Sequence, residues 1–274
     1  MLKSLTPQQV EHFQKFGYVA PIRVMPVEKA LELRKRLEDF EHSDSPLVKK
    51  ALNLKSHLLF PWLNELVGSD AVVNAIEDLY GENLLAWASS FFIKNAHDPA
   101  FVSWHQDSTY WGLSKPDVVT AWVALSESNR ANGAMQVIPG THLLDQIPHR
   151  DTFSANNLLT RGQEIAVEVD ASQAVSIELE PGEMSLHHVR IVHGSPPNDS
   201  ANRRIGYAIR YIPTYVRQLE GEDSATLVRG TDTFNTFEHE PRPTAELDPA
   251  FVALHQQIGE RNWKILYKGA AQQR

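Results

Sequence analysis

Residues 184–212, MSLHHVRIVHGSPPNDSANRRIGYAIRYI, decide the fold. They follow the turn pair Pro181-Gly182 and read as strands near Met184–His188, Val189–Val192 and Arg204–Ile212, broken by a Pro/Asn/Asp/Ser cluster. Working back from this stretch, similar short apolar runs recur at Leu85–Ile93, Ser103–Asp107, Val118–Leu125, Met135–Ile138, Ile165–Val169 and Val175–Leu179. No helical segment separates them. A series of strands without intervening helices points to a sandwich or barrel and away from βαβ units.

The first third reads differently. Thr6-Pro7-Gln8-Gln9 has a capping hydroxyl, proline at the first helical position and glutamine where a capping box needs it. Leu5 and Val10 are spaced for a hydrophobic staple, and Gly17 can close the helix in a left-handed conformation. Ala30, Leu33, Leu37 and Phe40 mark a second helix after Pro26, and a third runs from Ser69 to Gly81. Leu47–Trp62 is ambiguous, with room for shorter helices around Pro61. The expected architecture is mainly β with flanking helices: one domain over 1–274, with a helical part at 1–83, a β core at 84–213 and a C-terminal extension at 214–274. Two segments look irregular, Pro139–Gly162 and Pro213 to about Pro249, lengths usual for binding loops.

Composition narrows the function. The formal charge is −8, which argues against a nucleic-acid partner, since neutralising phosphates takes clustered Lys and Arg. No apolar run reaches the ~18 residues of a membrane span, and the start has no secretory apolar core. Cysteine is absent, which removes thiolate metal sites and catalytic thiols. The expectation is a cytoplasmic globular protein acting on a small molecule; its oligomeric state is not legible.

With 12 histidines and 34 acids, H-x-D/E arises about once or twice by chance, so its three cases with Asp carry little alone. His42-Ser43-Asp44 and His149-Arg150-Asp151 fall in polar surroundings and read as solvated surface. His105-Gln106-Asp107 lies on an expected strand beside Trp104, Tyr110 and Trp111. Residues i and i+2 share a face with ~6.6 Å of rise, so imidazole and carboxylate can converge on one ion. His193, from a distant strand, would complete a two-histidine, one-carboxylate triad that leaves positions open on Fe(II). Arg204 opens an apolar strand, where a guanidinium needs an anion. Gly206 and Ala208 alternate with it and leave space, which favours Arg204 over Arg203 as the inward residue. Arg210 shares that face, with an ion pair as its default and a substrate anion as the alternative. His188, more than His187, is placed to support the site.

Together, His105-Gln106-Asp107, Thr120-Ala121-Trp122-Val123-Ala124-Leu125, Pro139-Gly140-Thr141-His142 and His193-Gly194-Ser195 with Arg204 resemble the phytanoyl-CoA dioxygenase family. The resemblance runs in order from about Tyr18 to Ile212. It implies a double-stranded β-helix (jelly-roll, cupin-like) core with N-terminal helices packed on it, and an enzyme using Fe(II), 2-oxoglutarate and O2. It also implies His105, Asp107 and His193 as catalytic metal ligands. Arg204 and Ser195 would hold the distal carboxylate of 2-oxoglutarate, with Trp122, Gln106, Ser90 and Lys94 around the co-substrate. On an ideal strand Gln106 points away from its neighbours, so its place rests on the resemblance. Family members that halogenate lack the carboxylate, so Asp107 implies hydroxylation of an unactivated C–H bond. The alternatives are a non-catalytic jelly-roll binding protein and a zinc hydrolase; the latter leaves Arg204 and Ser195 without a role. Substrate contacts are expected from Phe91, Tyr110, Trp111 and the loop 139–162.

Overall fold

The computed structural model describes residues 2–43, 45–108 and 110–270, apart from the side chain of Lys49. The helices form where the pattern requires. Helix α1 (Pro7–Phe16) starts at Thr6 with both halves of the capping box made, and ends at Gly17 with φ +82°. Helix α2 (Val27–Glu41) buries Ala30, Leu33 and Leu37, and α5 (Asp70–Tyr80) runs from Ser69 to Gly81. The ambiguous stretch resolves into α3 (Val48–Asn53), a 3-10 turn (Ser56–Leu58) and α4 (Pro61–Val67).

Two sheets face one another, antiparallel except for a parallel pair at the edge of the larger one, Ser224–Arg229 with Glu238–His239. The larger contains β1 (Tyr18–Arg23), β2 (Leu84–Lys94), β4 (Val119–Ala124), β9 (Glu183–His188), β11 (Arg204–Pro213), β12 (Ser224–Arg229) and β13 (Glu238–His239), in the order β1-β9-β4-β11-β2-β12-β13. The smaller contains β3 (Val102–His105), β5 (Gln136–Ile138), β8 (Val175–Ser176) and β10 (Val192–Ser195), in the order β3-β10-β5-β8. A separate ribbon pairs β6 (His149–Asp151) with β7 (Gln163–Ile165). This is the expected jelly-roll core with helices packed on it.

Alternation on the central strands assigns the two faces of the large sheet. Ile205, Tyr207, Ile209 and Tyr211 of β11, with Val119, Ala121 and Val123 of β4 and Met184 and Leu186 of β9, join one core with α2, α4 and α5. The opposite parity turns Arg204, Gly206, Ala208, Arg210, Thr120, Trp122, Ser185 and His187 toward the small sheet. Trp122, Ala124, Ala208, Val137 and Ile177 pack one part of that interior.

Several expected boundaries shift. The strand through His105 stops there, and Asp107 lies in the turn beyond it. The expected Ile165–Val169 strand is instead Gln163–Ile165, and Val175–Leu179 is reduced to the short strand Val175–Ser176 and a bridge from Leu179 to Ser128. Val189–Val192 is mostly a turn, and the strand begins at Val192. Strands β1, β6, β12 and β13 and helix α6 (Pro249–Leu266) carried no expectation, and β6, β12 and β13 fall in the segments expected to be irregular. Helix α6 has a readable signal, since Asp248 caps Ala250 N, proline opens the helix, and Val252, His255, Ile258 and Ile265 recur at helical spacing. No helix of the described residues is long and apolar enough to cross a membrane.

Candidate metal centre and its cavity

Strand register brings the two histidines together. His193 of β10 pairs directly opposite His105 of β3, and their ring centroids lie 4.1 Å apart. His105 Nε2 is 3.3 Å from Asp107 Oδ1, and the ligand atoms of His105, Asp107 and His193 all lie within 4.8 Å of one another. Two adjacent ligands bound at ~2.1 Å from a metal would be about 3 Å apart, so the set needs little adjustment to hold an ion. The Nδ1 of each histidine faces backbone carbonyls: Ser103 O (2.9 Å) and His193 O (3.1 Å) for His105, Ile191 O (3.0 Å) for His193. Donation from Nδ1 leaves Nε2 as the lone pair presented to a metal.

All three residues are buried. Burial, with the neighbouring His105, pushes the His193 pKa well below its ordinary 6.5, which keeps the ligand neutral. Burial opposes ionisation of Asp107, but the contact with His105 and the fields of His193 and Arg210 hold its carboxyl below the usual carboxylate range. A carboxylate and two neutral imidazoles are the forms that bind a metal.

The turn bearing Asp107 is held from outside the strand. His149 Nε2 accepts from Gln106 N at 2.9 Å, while its Nδ1 lies 2.6 Å from Ile147 O. The Gln106 amide is committed to backbone, accepting from Ile147 N (2.7 Å) and donating to Arg190 O (2.8 Å). Gln106 is therefore a tie between loops: its residue borders the cavity, but its amide is spent on the 145–147 and 190 backbone. The surface reading of His149-Arg150-Asp151 is also overturned. His149 is half-buried against the Asp107 turn, and Asp151 pairs with buried Arg161. The third motif, His42-Ser43-Asp44, ends on a residue outside the described set.

A cavity of about 1020 Å³ opens from this triad between the sheets. Arg204 is buried at its wall, with Trp122 5.4 Å away and Nη1 donating to Gly133 O; its Nε has no partner. Burial lowers the Arg204 pKa to about 10, so the group stays charged at neutral pH. Arg203 is the outward member of the pair, bound to Glu41 at 2.8 Å and Glu38 at 3.2 Å. Gly206 is required by close approach, because a Cβ there would come within 1.8 Å of Trp122 Cζ2. Ser195 Oγ accepts from Lys94 Nζ at 2.6 Å, and burial, then Arg204, lower the Lys94 pKa to about 6. Ser90 Oγ accepts from Arg210 Nη1 at 2.6 Å.

His187, not His188, faces the centre: its ring lies 5.0 Å from that of His193, whereas His188 packs on Phe13 and His142. Counting back from His193 misassigns the parity because the turn at 189–191 breaks the alternation. Tyr110, Trp111 and residues 158–161 line the cavity as expected, and α6 adds Asn262, Trp263, Leu266 and Tyr267. Phe91 borders it but packs its ring on Tyr207 in the helix-side core, 4.6 Å away.

Residues 3–206 match the family model described as Phytanoyl-CoA dioxygenase (PhyH). The chain is 32% identical over 158 residues to a "Probable alpha-ketoglutarate-dependent hypophosphite dioxygenase" of Stutzerimonas stutzeri, an alignment covering 56% of this chain and 54% of that protein. It thus spans about half the length of this curated relative. Among solved structures, "non-heme monooxygenase; ThoJ apo" superposes with TM-score 0.85 at 33% identity, covering 95% of this chain and 98% of that one. "CytC3 with Fe(II) and alpha-ketoglutarate" superposes with TM-score 0.64 at 25% identity, covering 86% and 93%.

Proposed function

The chain belongs to the phytanoyl-CoA dioxygenase family, and from that premise we propose that it is an Fe(II)- and 2-oxoglutarate-dependent dioxygenase hydroxylating an unactivated C–H bond of a small molecule. The observation that carries the reading is the convergence of His105, Asp107 and His193 beside a cavity in which the buried Arg204 guanidinium keeps an unpartnered Nε. A metal-binding shell alone would not need that cation; a dicarboxylate co-substrate does.

In this reading the Nε2 atoms of His105 and His193 and the Asp107 carboxylate hold Fe(II). Arg204 takes the distal carboxylate of 2-oxoglutarate, with Ser195 Oγ beside it and Trp122 as the flat wall. When bound, iron would activate O2, the oxidant, which takes two electrons from 2-oxoglutarate as it becomes succinate and CO2 and two from the substrate C–H bond that is hydroxylated. The protein keeps the His193 imidazole neutral, fixes the Asp107 turn through Gln106 and His149, and lines the cavity with Trp87, Trp111 and Phe92, which limit water. Asp107 occupies the third protein position, which supports hydroxylation over halogenation.

Drug-sized ligands fill pockets of about 300–1,000 Å³. This cavity, at about 1020 Å³, is therefore far larger than 2-oxoglutarate needs and fits a substrate of that size class. Substrate contacts fall to Tyr110, Trp111, residues 158–161 and α6.

Anaerobic addition of Fe(II) and 2-oxoglutarate should give a weak visible charge-transfer band, which Asp107→Ala and His193→Ala abolish. A band that persists in both variants would reject these ligands. Wild-type protein that forms no succinate across a broad metabolite panel would reject the activity.

A further inference from the structure

The interior face of the large sheet holds a second set of unsatisfied polar groups, distinct from Arg204. Arg210 of β11 pairs opposite Thr120 of β4, which pairs opposite His187 of β9. Arg210 Nε, Thr120 Oγ1 and His187 Nδ1 are each buried without a hydrogen-bond partner. Three adjacent strands thus place a row of unmet polar atoms behind the wall of one cavity, which all three residues line. Among the described residues the Arg210 guanidinium has one acceptor, Ser90 Oγ, and no ion pair. Phe92 and Trp111 flank it, each 5.7 Å from the guanidinium carbon. Asp107 acts on this guanidinium only through its field, no carboxylate pairs with it directly, and each unmatched polar atom beside it is costly when buried.

We propose that Arg210, Ser90 and Thr120 form a second oxyanion position in the cavity, taking a carboxylate-class group carried by the substrate. Resting on the function proposed above, the charge count selects the substrate. Fe(II), Arg204 and Arg210 carry one more positive charge than Asp107 and dianionic 2-oxoglutarate, and an anionic substrate restores balance where charges are poorly screened. The flanking rings fit an apolar body next to that group, so the substrate class is a monoanionic, largely hydrophobic acid. The same oxyanion chemistry exists at the keto-acid end of 2-oxoglutarate, and the experiment separates the two sources.

The probes are phenylacetate and octanoate, each against its neutral amide, titrated by tryptophan fluorescence with Mn(II) and saturating 2-oxoglutarate. Both acids should bind at least tenfold tighter than their amides. Arg210→Met should remove that preference, Arg210→Lys should keep part of it, and Thr120→Val should weaken it severalfold. The 2-oxoglutarate requirement of Arg210→Met should change less than threefold. Acids and amides binding alike would overturn the proposal. A tenfold or larger rise in the 2-oxoglutarate requirement would overturn it too, assigning the guanidinium to the co-substrate. Succinate formation by wild-type protein with Fe(II) is scored separately, so failure of the oxygenase reading is distinguishable from failure of this one.

Discussion

Adjacent serines of β2 serve two buried polar clusters on opposite faces of the same sheet. Ser89 turns to the helix side, where His57 Nδ1 lies 2.7 Å from its Oγ; Ser90 turns to the cavity and accepts from Arg210. On the helix side Lys55 Nζ pairs with Glu240 Oε1 at 2.6 Å and donates to Ser224 O at 2.6 Å. Thr226 Oγ1 donates to Glu240 Oε2 at 2.7 Å, with His57 Nε2 3.3 Å from the same oxygen. Burial opposes the Glu240 charge, but Lys55 and His57 more than compensate, so its pKa falls. None of these atoms lacks a partner among the described residues, whereas the cavity side leaves Arg204 Nε, Arg210 Nε, Thr120 Oγ1 and His187 Nδ1 unmatched. Buried charge that the fold satisfies ties elements together, here the 3-10 turn at Ser56–Leu58 to the C-terminal strands. Buried charge that the fold leaves open marks a place for ligands.

The largest test of that contrast removes one partner of the closed cluster. Glu240→Gln strands Lys55 and should cost about 3–5 kcal/mol in urea unfolding. Arg204→Met should leave stability within about 1 kcal/mol, because no protein anion loses its partner; equal losses in the two variants would erase the distinction. Acid should act on the cavity side as well. Burial lowers the His187 pKa from 6.5 to about 4, so the unfolded chain binds more protons between those values. The stability this gives is complete above about pH 6.5 and is lost as pH falls toward 4, on the order of 3 kcal/mol. His187→Gln should therefore move the acid onset of unfolding to lower pH. An unmoved onset would place the acid lability elsewhere.

For function, Arg204→Met should raise the 2-oxoglutarate requirement about thirtyfold, equivalent to ~2 kcal/mol, with little change in metal affinity. His149→Phe removes the acceptor for Gln106 N and should weaken Mn(II) binding about tenfold, while His149→Gln recovers part of it. Binding unchanged in His149→Phe would show that the Asp107 turn holds without this strut. The smallest effect belongs to Arg203→Ala, whose ion pairs are partly exposed: below about 1 kcal/mol and no change in 2-oxoglutarate requirement.

The local signals that survive folding are those with short-range causes. The Thr6 cap, the α2 and α5 periodicities and the Arg203/Arg204 choice rest on neighbours within a turn or along one strand, and the structure agrees with each. What local alternation misplaces lies beyond strand ends: Asp107 sits in a turn, and His187 and His188 exchange roles because residues 189–191 reverse the chain. His149 departs from its surface reading for a related reason, since its partners are the Gln106 and Ile147 backbone, and the ties of Gln106 to the segment around 147 and to Arg190 are equally non-local.

The amino-acid order by itself determined helices α1, α2 and α5 and the strand-rich core, because propensity and alternation act through adjacent residues; the metal and anion ligands were candidates only as a set of motifs taken together. Only the tertiary structure decided that His193 stands opposite His105, that Glu240 closes on Lys55, and that Arg210, Thr120 and His187 face one cavity unmatched. Those outcomes depend on register between strands far apart in the chain, which is set by packing of the whole sandwich and leaves no local trace.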